Sequence, residues 1–418
     1  MTSDVTADVP TEPALPAVSV AELEGLRAVV AADLPAYLED LRRLVDIDCG
    51  SYTPDGVNEV GRWTAGFLAE LGADIDIRPD PAGGFGNTVV GTFAGRPGAP
   101  RVLLIGHMDT VFDPGTVAER PFRIDDSIAH GPGVTDMKSG LLAGLYALKA
   151  LVGETGGLPF ERVTFVANPD EEVGSPTSTP HIRDLAADVD VALVLECARA
   201  NGDIVSARKG ILETRITVHG RAAHAGVEPE KGRNAILEAA RIVEDLHALN
   251  GRWPGVTVNV GRISGGTRPN VVAERCELEV DVRSATAEGL DLVEAAVREI
   301  AAATEVPDTT VELHVMAGWR PMEKLPRSGR LVEHAQAVAR GLGFEVRDTA
   351  TGGASDANTT SGMGIPSLDG LGPIGGNDHS PAEYLEVESI VPRTAMLAGL
   401  LLAIARDPGI LAWRDTPA

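Results

Sequence analysis

Five side chains of the types that bind metal ions stand at the ends of apolar runs in this 418-residue chain. Four of them follow a β-branched or leucine-rich stretch or open a helix-like run, and the fifth lies in a glycine-rich segment. Because ligands bind at the carboxyl ends of the strands in an open α/β sheet, these positions favour a shared site. Two imidazoles and three carboxylates, one of them able to bridge, suit two zinc ions about 3.5–4 Å apart. The pattern predicts a dinuclear metallohydrolase with the ligands His107, Asp136, Glu172, Glu196 and His379.

Two further carboxylates have positions that suit this chemistry. Asp109 follows His107 by two residues, so strand alternation lets it accept the other ring N–H of the imidazole. Glu171 and Glu172 are adjacent, and only one of them need bind metal, which leaves the other to take a proton from a water that zinc has made acidic. Taken singly, each residue has a structural interpretation. Asp136, for example, precedes a helix and would suit its N-cap.

The composition of the chain argues against several classes of protein. A net charge of −25 disfavours a nucleic-acid or anionic-membrane partner. Cys49, Cys197 and Cys276 are widely spaced and form no disulfide framework, which favours a reducing compartment. Cys197 could be a nucleophile, but a small buried residue at a strand end is the better interpretation. We expect no secretory signal, no apolar run of membrane-spanning length and a cytoplasmic location.

The apolar periodicity divides the chain into a large domain and a small inserted one. Residues 1–18 are acidic and proline-rich, and we expect a disordered tail. Residues 19–212 alternate strands and helices, which predicts a largely parallel or mixed sheet covered by helices. Residues 213–321 follow the βαββαβ order of a ferredoxin-like sandwich. Residues 322–418 return to the α/β pattern and carry His379, so the fold class is α/β with an insertion.

Many segments of the chain resemble one family of metalloenzymes. In chain order they are GHMDTV, GPGVTDMKSG, NPDEEVGS, HGRAAHAGVEPEKGRNA, GGTRPNVV, VDVR, TGGASDA and NDHSPAEY. They are similar to the zinc aminoacylase and carboxypeptidase family, which includes glutamate carboxypeptidases, acetylornithine deacetylases and succinyl-diaminopimelate desuccinylases. The bacterial glutamate carboxypeptidases look most similar, and the resemblance extends from about residue 30 to the C-terminus. It implies a zinc-exopeptidase fold whose inserted domain serves as a lid and dimerisation surface.

The resemblance also implies how the metal ligands are shared. One zinc would be held by His107, Asp136 and Glu196. The other would be held by Asp136, Glu172 and His379, so that Asp136 bridges the two ions. Cobalt or manganese would fit similar ligands. A cis peptide bond between Asp136 and the following methionine is implied as well.

Further roles that the resemblance implies concern catalysis and substrate binding. Glu171 would be the general base, Asp109 the carboxylate that orients a ligand histidine, and His224 the group that stabilises the oxyanion. His224 would act in its own subunit or in the partner subunit of a homodimer. The pocket lysine of glutamate carboxypeptidases has no clean counterpart, because Arg208 and Lys209 are out of register, so the preference for glutamate stays open. The residues implied to contact substrate are Asn270, Arg283, Arg320 and Ser355.

The leading hypothesis is a dinuclear zinc hydrolase that cleaves an amide bond next to a free α-carboxylate. It would act as a carboxypeptidase or an N-acyl-amino-acid hydrolase on a small peptide or N-acyl amino acid. A biosynthetic deacylase of the acetylornithine or succinyl-diaminopimelate type, or a dipeptidase, is the alternative, and these enzymes differ more in pocket shape than in chemistry. A degenerate binding protein of the same fold would have lost a ligand or the base, and none is missing.

Overall fold

The computed structural model of the chain describes residues 15–415. Residues 1–14 of the expected disordered tail lie outside this range, and residues 15–18 belong to no helix or strand. The chain divides into two compact units. Among the described residues, the first unit comprises residues 15–204, Arg327–Arg347 and residues 368–415, and the second comprises Val205–Pro326 and Asp348–Ser367.

Several helices begin at residues whose side chains satisfy free N–H groups of the first turn. Ser19 forms a capping box with Glu22 before the first helix, and Asn234 and Thr286 cap two later ones. In chain order the helices are α1 (Val20–Val45), α2 (Pro54–Glu70), α3 (Thr116–Glu119), α4 (Ser139–Thr155), α5 (Thr179–Ala186), α6 (Ala235–His247), α7 (Ala287–Ala302), α8 (Pro326–Gly341), α9 (Asp356–Gly362), α10 (Val387–Arg406) and α11 (Pro408–Ala412).

Several strands are rich in valine and isoleucine, β-branched residues that pack well on a pleated surface. In chain order they are β1 (Asp74–Arg78), β2 (Thr88–Ala94), β3 (Arg101–His107), β4 (Arg123–Asp125), β5 (Ile128–His130), β6 (Arg162–Asn168), β7 (Val191–Val194), β8 (Ile204–Arg208), β9 (Gly210–His219), β10 (Thr257–Gly265), β11 (Arg275–Ser284), β12 (Thr310–Trp319), β13 (Asp348–Thr351), β14 (Ser367–Leu368), β15 (Gly375–Gly376) and β16 (Tyr384–Glu386).

The first unit is built on a mixed sheet of strand order β1-β2-β6-β3-β7-β14. β3 runs parallel to both β6 and β7, whereas β2 runs antiparallel to β6. In this register His107 and Asn168, the last residues of β3 and β6, stand side by side. The predicted α/β class with a mixed sheet is therefore confirmed. The segments that leave β3, β6 and β7 all start from the same edge of the sheet, where ligands bind in such folds.

Apolar helices cover this sheet. α4 is buried on all sides over most of its length, and α1, α4 and α10 pack against one another. The expectation that no apolar run reaches membrane-spanning length was wrong, because Val387–Arg406 has a window of mean hydropathy 1.6. However, 78% of that window is buried inside the protein. α10 is thus a core helix, apolar all round because it is enclosed all round.

The second unit shows the predicted βαββαβ order, in the sequence β9, α6, β10, β11, α7 and β12. Its strands form an antiparallel sheet in the order β10-β11-β9-β12, as in a ferredoxin-like sandwich. Ile216 and Leu278 of the sheet share a buried core with Ile242 of α6 and Val293 of α7. The second unit therefore has a hydrophobic core of its own.

The bounds of the second unit differ from those of the inserted domain predicted over residues 213–321. The unit begins at Val205 and also contains Asp348–Ser367. A two-stranded sheet of β13 with β8 brings this later segment into the unit. The roles of the unit as a lid and a dimerisation surface stay predictions.

Candidate metal centre

His107 is the anchor of the candidate site in the first unit. It ends β3, and its side chain is almost fully buried. Its Nε2 lies 3.1 Å from Oδ1 of Asp136 and 3.7 Å from Oε1 of Glu196. Because strand β3 is central in the sheet, the imidazole has a fixed position from which it faces both carboxylates.

Asp136 lies between the two candidate imidazoles. Its Oδ1 faces His107 and its Oδ2 lies 3.1 Å from Nε2 of His379, so each carboxylate oxygen meets a different ring. The residue belongs to the irregular turn Val134–Lys138 that precedes α4, and its peptide bond to Met137 is cis, as predicted. One oxygen for each side is the arrangement that a bridging carboxylate requires.

Glu172 completes the second half of the site. It lies in a short turn that follows β6, and its Oε2 is 3.1 Å from Nε2 of His379. His379 lies in the loop between β15 and β16 and has a left-handed backbone, with a φ of 60°. The His379 ring is the most exposed of the candidate ligands, since 56% of its side chain is accessible, compared with 1% for His107.

The candidate ligand atoms form two overlapping groups. Atoms of His107, Asp136 and Glu172 lie within 4.8 Å of one another, and so do atoms of His107, Glu171 and Glu196. The structure thus brings all five predicted ligands to one place, together with Glu171. Because Glu171 shares a group with Glu196, distance alone does not separate the predicted base from a ligand.

The spacing of these donors fits a common cation. Two ligands that each lie about 2.1 Å from a tetrahedral zinc ion are about 3.4 Å apart. The contacts of His107 with Asp136 and Glu196, and of His379 with Asp136 and Glu172, span 3.1–3.7 Å. Imidazole nitrogen and carboxylate oxygen are also the donors that zinc accepts. The residues present therefore fit the metal centre that the sequence predicted.

Asp109 holds both the histidine and the glutamate pair. Nδ1 of His107 lies 3.0 Å from the carbonyl oxygen of Asp109 and 3.3 Å from its Oδ1. The carboxylate also accepts hydrogen bonds from Ser51 Oγ at 2.6 Å and from the backbone N–H groups of Glu171 and Glu172 at 3.1 and 3.2 Å. One fully buried carboxylate thus fixes three segments of the site at once.

Neighbouring charges change the pKa values of the ligands strongly. Hydrogen bonds to Asp136 and Glu172 raise the pKa of His379 to about 10. Burial lowers the pKa of His107, but its hydrogen bonds to Asp109 and Asp136 raise the pKa by more than burial lowers it. The pKa of His107 therefore lies well above its usual range. These imidazoles therefore hold a proton against the carboxylates. A metal ion must displace that proton, so metal binding releases protons.

Glu383 is a buried carboxylate of the site that the sequence did not single out. Its Oε2 accepts from the backbone N–H of Gly133 at 2.9 Å, and its Oε1 accepts from Thr135 at 2.9 Å and Asp136 at 3.1 Å. Burial raises the pKa of Glu383 to about 7 against these hydrogen bonds. Its position four residues after His379 was the available signal. Glu383 thus ties the loop of one ligand to the turn of another.

Lys138 is a second residue that sequence reasoning missed. It is fully buried, and its Nζ donates to the carbonyl oxygens of Pro132 at 3.1 Å and Ile47 at 3.4 Å. A buried ammonium group needs such partners, since leaving it without hydrogen bonds is costly. Lys138 therefore helps to fix the turn that presents Asp136.

Cys197 has the surroundings of a structural residue. It is buried, and burial raises the pKa of its thiol well above the usual range. Its Sγ lies 3.9 Å from Oδ2 of Asp378. Because the thiolate is the nucleophilic form, such a thiol is inert. The structure supports the interpretation of Cys197 as a buried filler.

His224 and Asn270 lie close together in the second unit. His224 is exposed and forms a β-bridge with Val271, and the backbone N–H of Ala225 donates to Asn270 O at 3.0 Å. Nδ1 of His224 accepts a hydrogen bond from the N–H of Gly226 at 3.2 Å. The two predicted functional residues thus lie on two neighbouring surface loops. Their contacts with a substrate stay predictions.

The other predicted substrate residues already have partners within the second unit. Arg283 pairs with Asp281 at 2.8 Å, and Arg320 forms a two-pronged ion pair with Asp291. The Ser355 hydroxyl caps α9. To bind a substrate carboxylate, each arginine would therefore have to release its aspartate partner or bind both carboxylates at once.

Asn358 connects two of these residues and was missed by the sequence reasoning. Its Nδ2 donates to the carbonyl oxygens of Arg320 at 2.8 Å and Lys209 at 3.0 Å. Its Oδ1 accepts from the backbone N–H of Ser355 at 3.0 Å. The side chain is fully buried, so it fixes the backbone on both sides of this cluster. Its position within the TGGASDAN segment was the only signal.

Comparison with known proteins finds relatives that match most of the chain. The family model described as "Peptidase family M20/M25/M40" matches residues 103–403, a range that includes all five candidate ligands. Carboxypeptidase G2 from Pseudomonas sp. (strain RS-16) is 32% identical over 375 residues, which cover 88% of this chain and 89% of that protein. Succinyl-diaminopimelate desuccinylase from Dechloromonas aromatica is 28% identical over 324 residues, which cover 72% and 83%.

A solved structure shares the same fold. The aminopeptidase PepT from Bacillus cereus superposes with a TM-score of 0.72 over 89% of this chain and 99% of that chain, at 24% sequence identity. At this level of identity the likeness concerns the fold. It supports the arrangement of elements that positions the candidate ligands.

Proposed function

The chain belongs to peptidase family M20/M25/M40, and from that premise we propose that this hydrolase uses two zinc ions to cleave an amide bond next to a free α-carboxylate. The family is one of metal-dependent peptidases and amidohydrolases, so hydrolysis follows from membership. The observation that carries the finer proposal is the position of Asp136, whose two oxygens each lie 3.1 Å from a different imidazole. A carboxylate so placed is suited to bridge a pair of ions.

Each zinc ion would have three ligands from this chain. His107, Asp136 and Glu196 would hold one, and Asp136, Glu172 and His379 the other. Zinc bound there would polarise the scissile carbonyl and make water acidic enough to act as a nucleophile near neutral pH. Asp109 would keep His107 in the tautomer that leaves Nε2 free to bind metal, since its oxygens face Nδ1.

Glu171 would be the general base of the reaction. Its carboxylate would accept a proton from water as the water oxygen attacks the carbonyl carbon. When the carbon–nitrogen bond breaks, the same group would return that proton to the leaving amine nitrogen. The hydrogen bond from the Glu171 backbone to Asp109 supports this role, because it fixes the residue beside the ligands.

The second unit would supply the substrate contacts. The guanidinium groups of Arg283 and Arg320 are suited to the substrate α-carboxylate because an arginine can bind it through two parallel hydrogen bonds. His224 would stabilise the oxyanion, and the protein would work as a homodimer if that histidine serves the partner's site. A similar relative is named a carboxypeptidase, which favours an α-amino acid as the leaving group.

An assay of a small panel tests the proposed function. Zinc-loaded protein is offered N-acyl-α-amino acids, the matching amino-acid amides that lack the free carboxylate, N-acetylornithine, N-succinyl-diaminopimelate and dipeptides. We expect hydrolysis of substrates with a free α-carboxylate, loss of activity with a chelator and recovery on addition of zinc. Equal turnover of the amides would remove the α-carboxylate from the proposal, and a strong preference for one biosynthetic substrate would favour the deacylase alternative.

A further inference from the structure

The surface of the first unit has a recess of about 260 Å³ that the reaction proposed above does not use. It lies between the segment that follows α3, the strand β5 and the loop after His379. Cationic side chains dominate its lining, although the exposed Glu119 also contributes to it. The residues that matter below are Arg120, Arg123, His130 and Pro381.

The recess shares its walls with the loops that carry two of the candidate ligands. Pro381 lies two residues after His379, and Nη1 of Arg120 donates to Ser380 O at 3.4 Å. On the opposite wall, Nδ1 of His130 lies 3.2 Å from Glu383 O, and the carboxylate of Glu383 holds the N–H of Asp136. Since consecutive Cα atoms are about 3.8 Å apart, the Arg120 guanidinium lies about 10 Å or less from the backbone of His379.

Arg120 is a positioned cation that has no carboxylate partner among the described residues. Its guanidinium carbon lies 4.5 Å from the centre of the Phe112 ring, and the side chain is half-buried. The stacking fixes the group in place. Arg123 in the same recess differs, because it is exposed and pairs with Asp125 at 3.0 Å. Although the chain carries a net charge of −25, no carboxylate of the described residues pairs with this arginine.

We propose that this recess is the subsite for the acyl side of the substrate and that Arg120 binds a carboxylate carried by the acyl group. The inference rests on the proposed function, and it names the substrate class: amides whose acyl part is itself acidic. The α-carboxylate of the leaving amino acid is assigned to arginines of the second unit, so Arg120 is available for a second anionic group. A planar guanidinium can receive a carboxylate through two N–H groups.

Two substrates that differ by one charge test the subsite. An N-succinyl amino acid carries a terminal carboxylate, and the N-succinamoyl derivative of the same amino acid carries a neutral amide of the same shape. We expect kcat/KM of the wild type to favour the succinyl substrate about tenfold, the size expected for a charge-assisted hydrogen bond. In Arg120→Gln this ratio should fall to about one, through a higher KM for the succinyl substrate.

Two further variants serve as controls. Arg120→Lys keeps the charge but loses the planar fork, so its ratio should lie between those of the wild type and Arg120→Gln. Arg62→Gln removes an exposed arginine from a second recess of about 260 Å³ on the same unit, beside β1 and β2, and should leave the ratio unchanged. Circular dichroism confirms that each variant is folded.

The outcomes separate this inference from the proposed function. Calorimetry measures the binding of the same pair of compounds to zinc-loaded protein whether or not they are hydrolysed. If the protein hydrolyses both compounds equally well, or if Arg120→Gln keeps the wild-type ratio, the subsite is wrong and the proposed function stands. If it hydrolyses neither compound but binds the succinyl form more tightly, and only when Arg120 is present, the subsite stands and the proposed reaction fails.

Discussion

The candidate metal centre of the first unit and the predicted substrate residues of the second unit are held in place in different ways. His107 and Asp109 are fully buried, and their partners are backbone groups and side chains fixed at the ends of strands. Arg320 and His224 are exposed and lie on or near surface loops. The difference indicates that the geometry of the candidate metal centre is prebuilt, whereas the predicted substrate residues are groups that can exchange their partners.

Surrounding charges show the same contrast. In the first unit, hydrogen bonds to carboxylates raise the pKa values of both candidate ligand histidines strongly, against the lowering effect of burial. In the second unit, the hydrogen bond from Arg320 lowers the pKa of Asp291, which stays largely exposed to water. Exposed ion pairs of this kind contribute little free energy, about 0.2–1 kcal/mol. Substitutions of the candidate metal ligands should therefore affect turnover and metal binding, and those of Arg283 and Arg320 should chiefly affect substrate recognition.

The largest expected effect is that of Glu171→Gln. The amide keeps the size of the side chain but cannot accept a proton, so kcat should fall by at least about 10³-fold. Zinc content, measured by mass spectrometry of the purified protein, should remain at the wild-type level. Glu70→Gln, at an exposed position of α2, is the matched control. Loss of zinc together with activity would instead identify Glu171 as a ligand, which its distance to Glu196 allows.

His224→Ala should lower kcat by about 10²–10³-fold, the usual effect of removing an oxyanion donor. His247→Ala, at an exposed position of α6, should have no effect. If His224 serves the partner subunit, a dimer of one His224→Ala chain and one Glu171→Gln chain has one working site of its two. With equal amounts of the two chains about half of the dimers are mixed, so the mixture should recover about a quarter of wild-type activity. Mixed dimers that form but stay inactive would rule out the trans arrangement.

Glu383→Gln should weaken zinc binding by about 10–100-fold, since it removes a residue that positions a ligand. Both carboxylate oxygens accept backbone N–H groups, so the NH₂ group of glutamine would face another donor. Competition with a chelator measures the affinity, and Glu388→Gln is the exposed control. The contrary result is a variant that keeps the wild-type zinc affinity while its metal-free form unfolds more easily. That result would show that Glu383 serves the fold alone.

Asp291→Asn has the smallest expected effect, and unlike the preceding variants it should improve the enzyme rather than impair it. Removing the carboxylate that pairs with Arg320 should free the guanidinium for substrate and lower KM about two- to fivefold, with kcat unchanged. Glu305→Gln is the control, because Glu305 pairs with Arg241 of the same unit at 3.2 Å. A KM that stays constant or rises would show that Arg320 does not bind the substrate carboxylate, or that Asp291 is needed to position it.

Much of the architecture could be predicted because it is written in local patterns. Period-two and helical spacing of apolar residues identified the mixed sheet and the βαββαβ unit. Four of the five candidate ligands were found because they follow or open a regular element, and parallel strands end at one edge of a sheet. The fifth, His379, was found in a glycine-rich segment. That they meet around Asp136 agrees with the prediction, and the roles assigned to them await the tests above.

By itself the sequence determined which elements form and which residues stand at their ends, since both depend on neighbours along the chain. Only the tertiary structure decided the rest. Glu383 reaches the N–H groups of residues 133–136 across about 250 positions of sequence, Asp348–Ser367 joins the second unit through β13, and α10 is a core helix. Local composition cannot reveal these facts, because a buried carboxylate, an edge pairing and an enclosed apolar helix are each defined by partners distant in sequence.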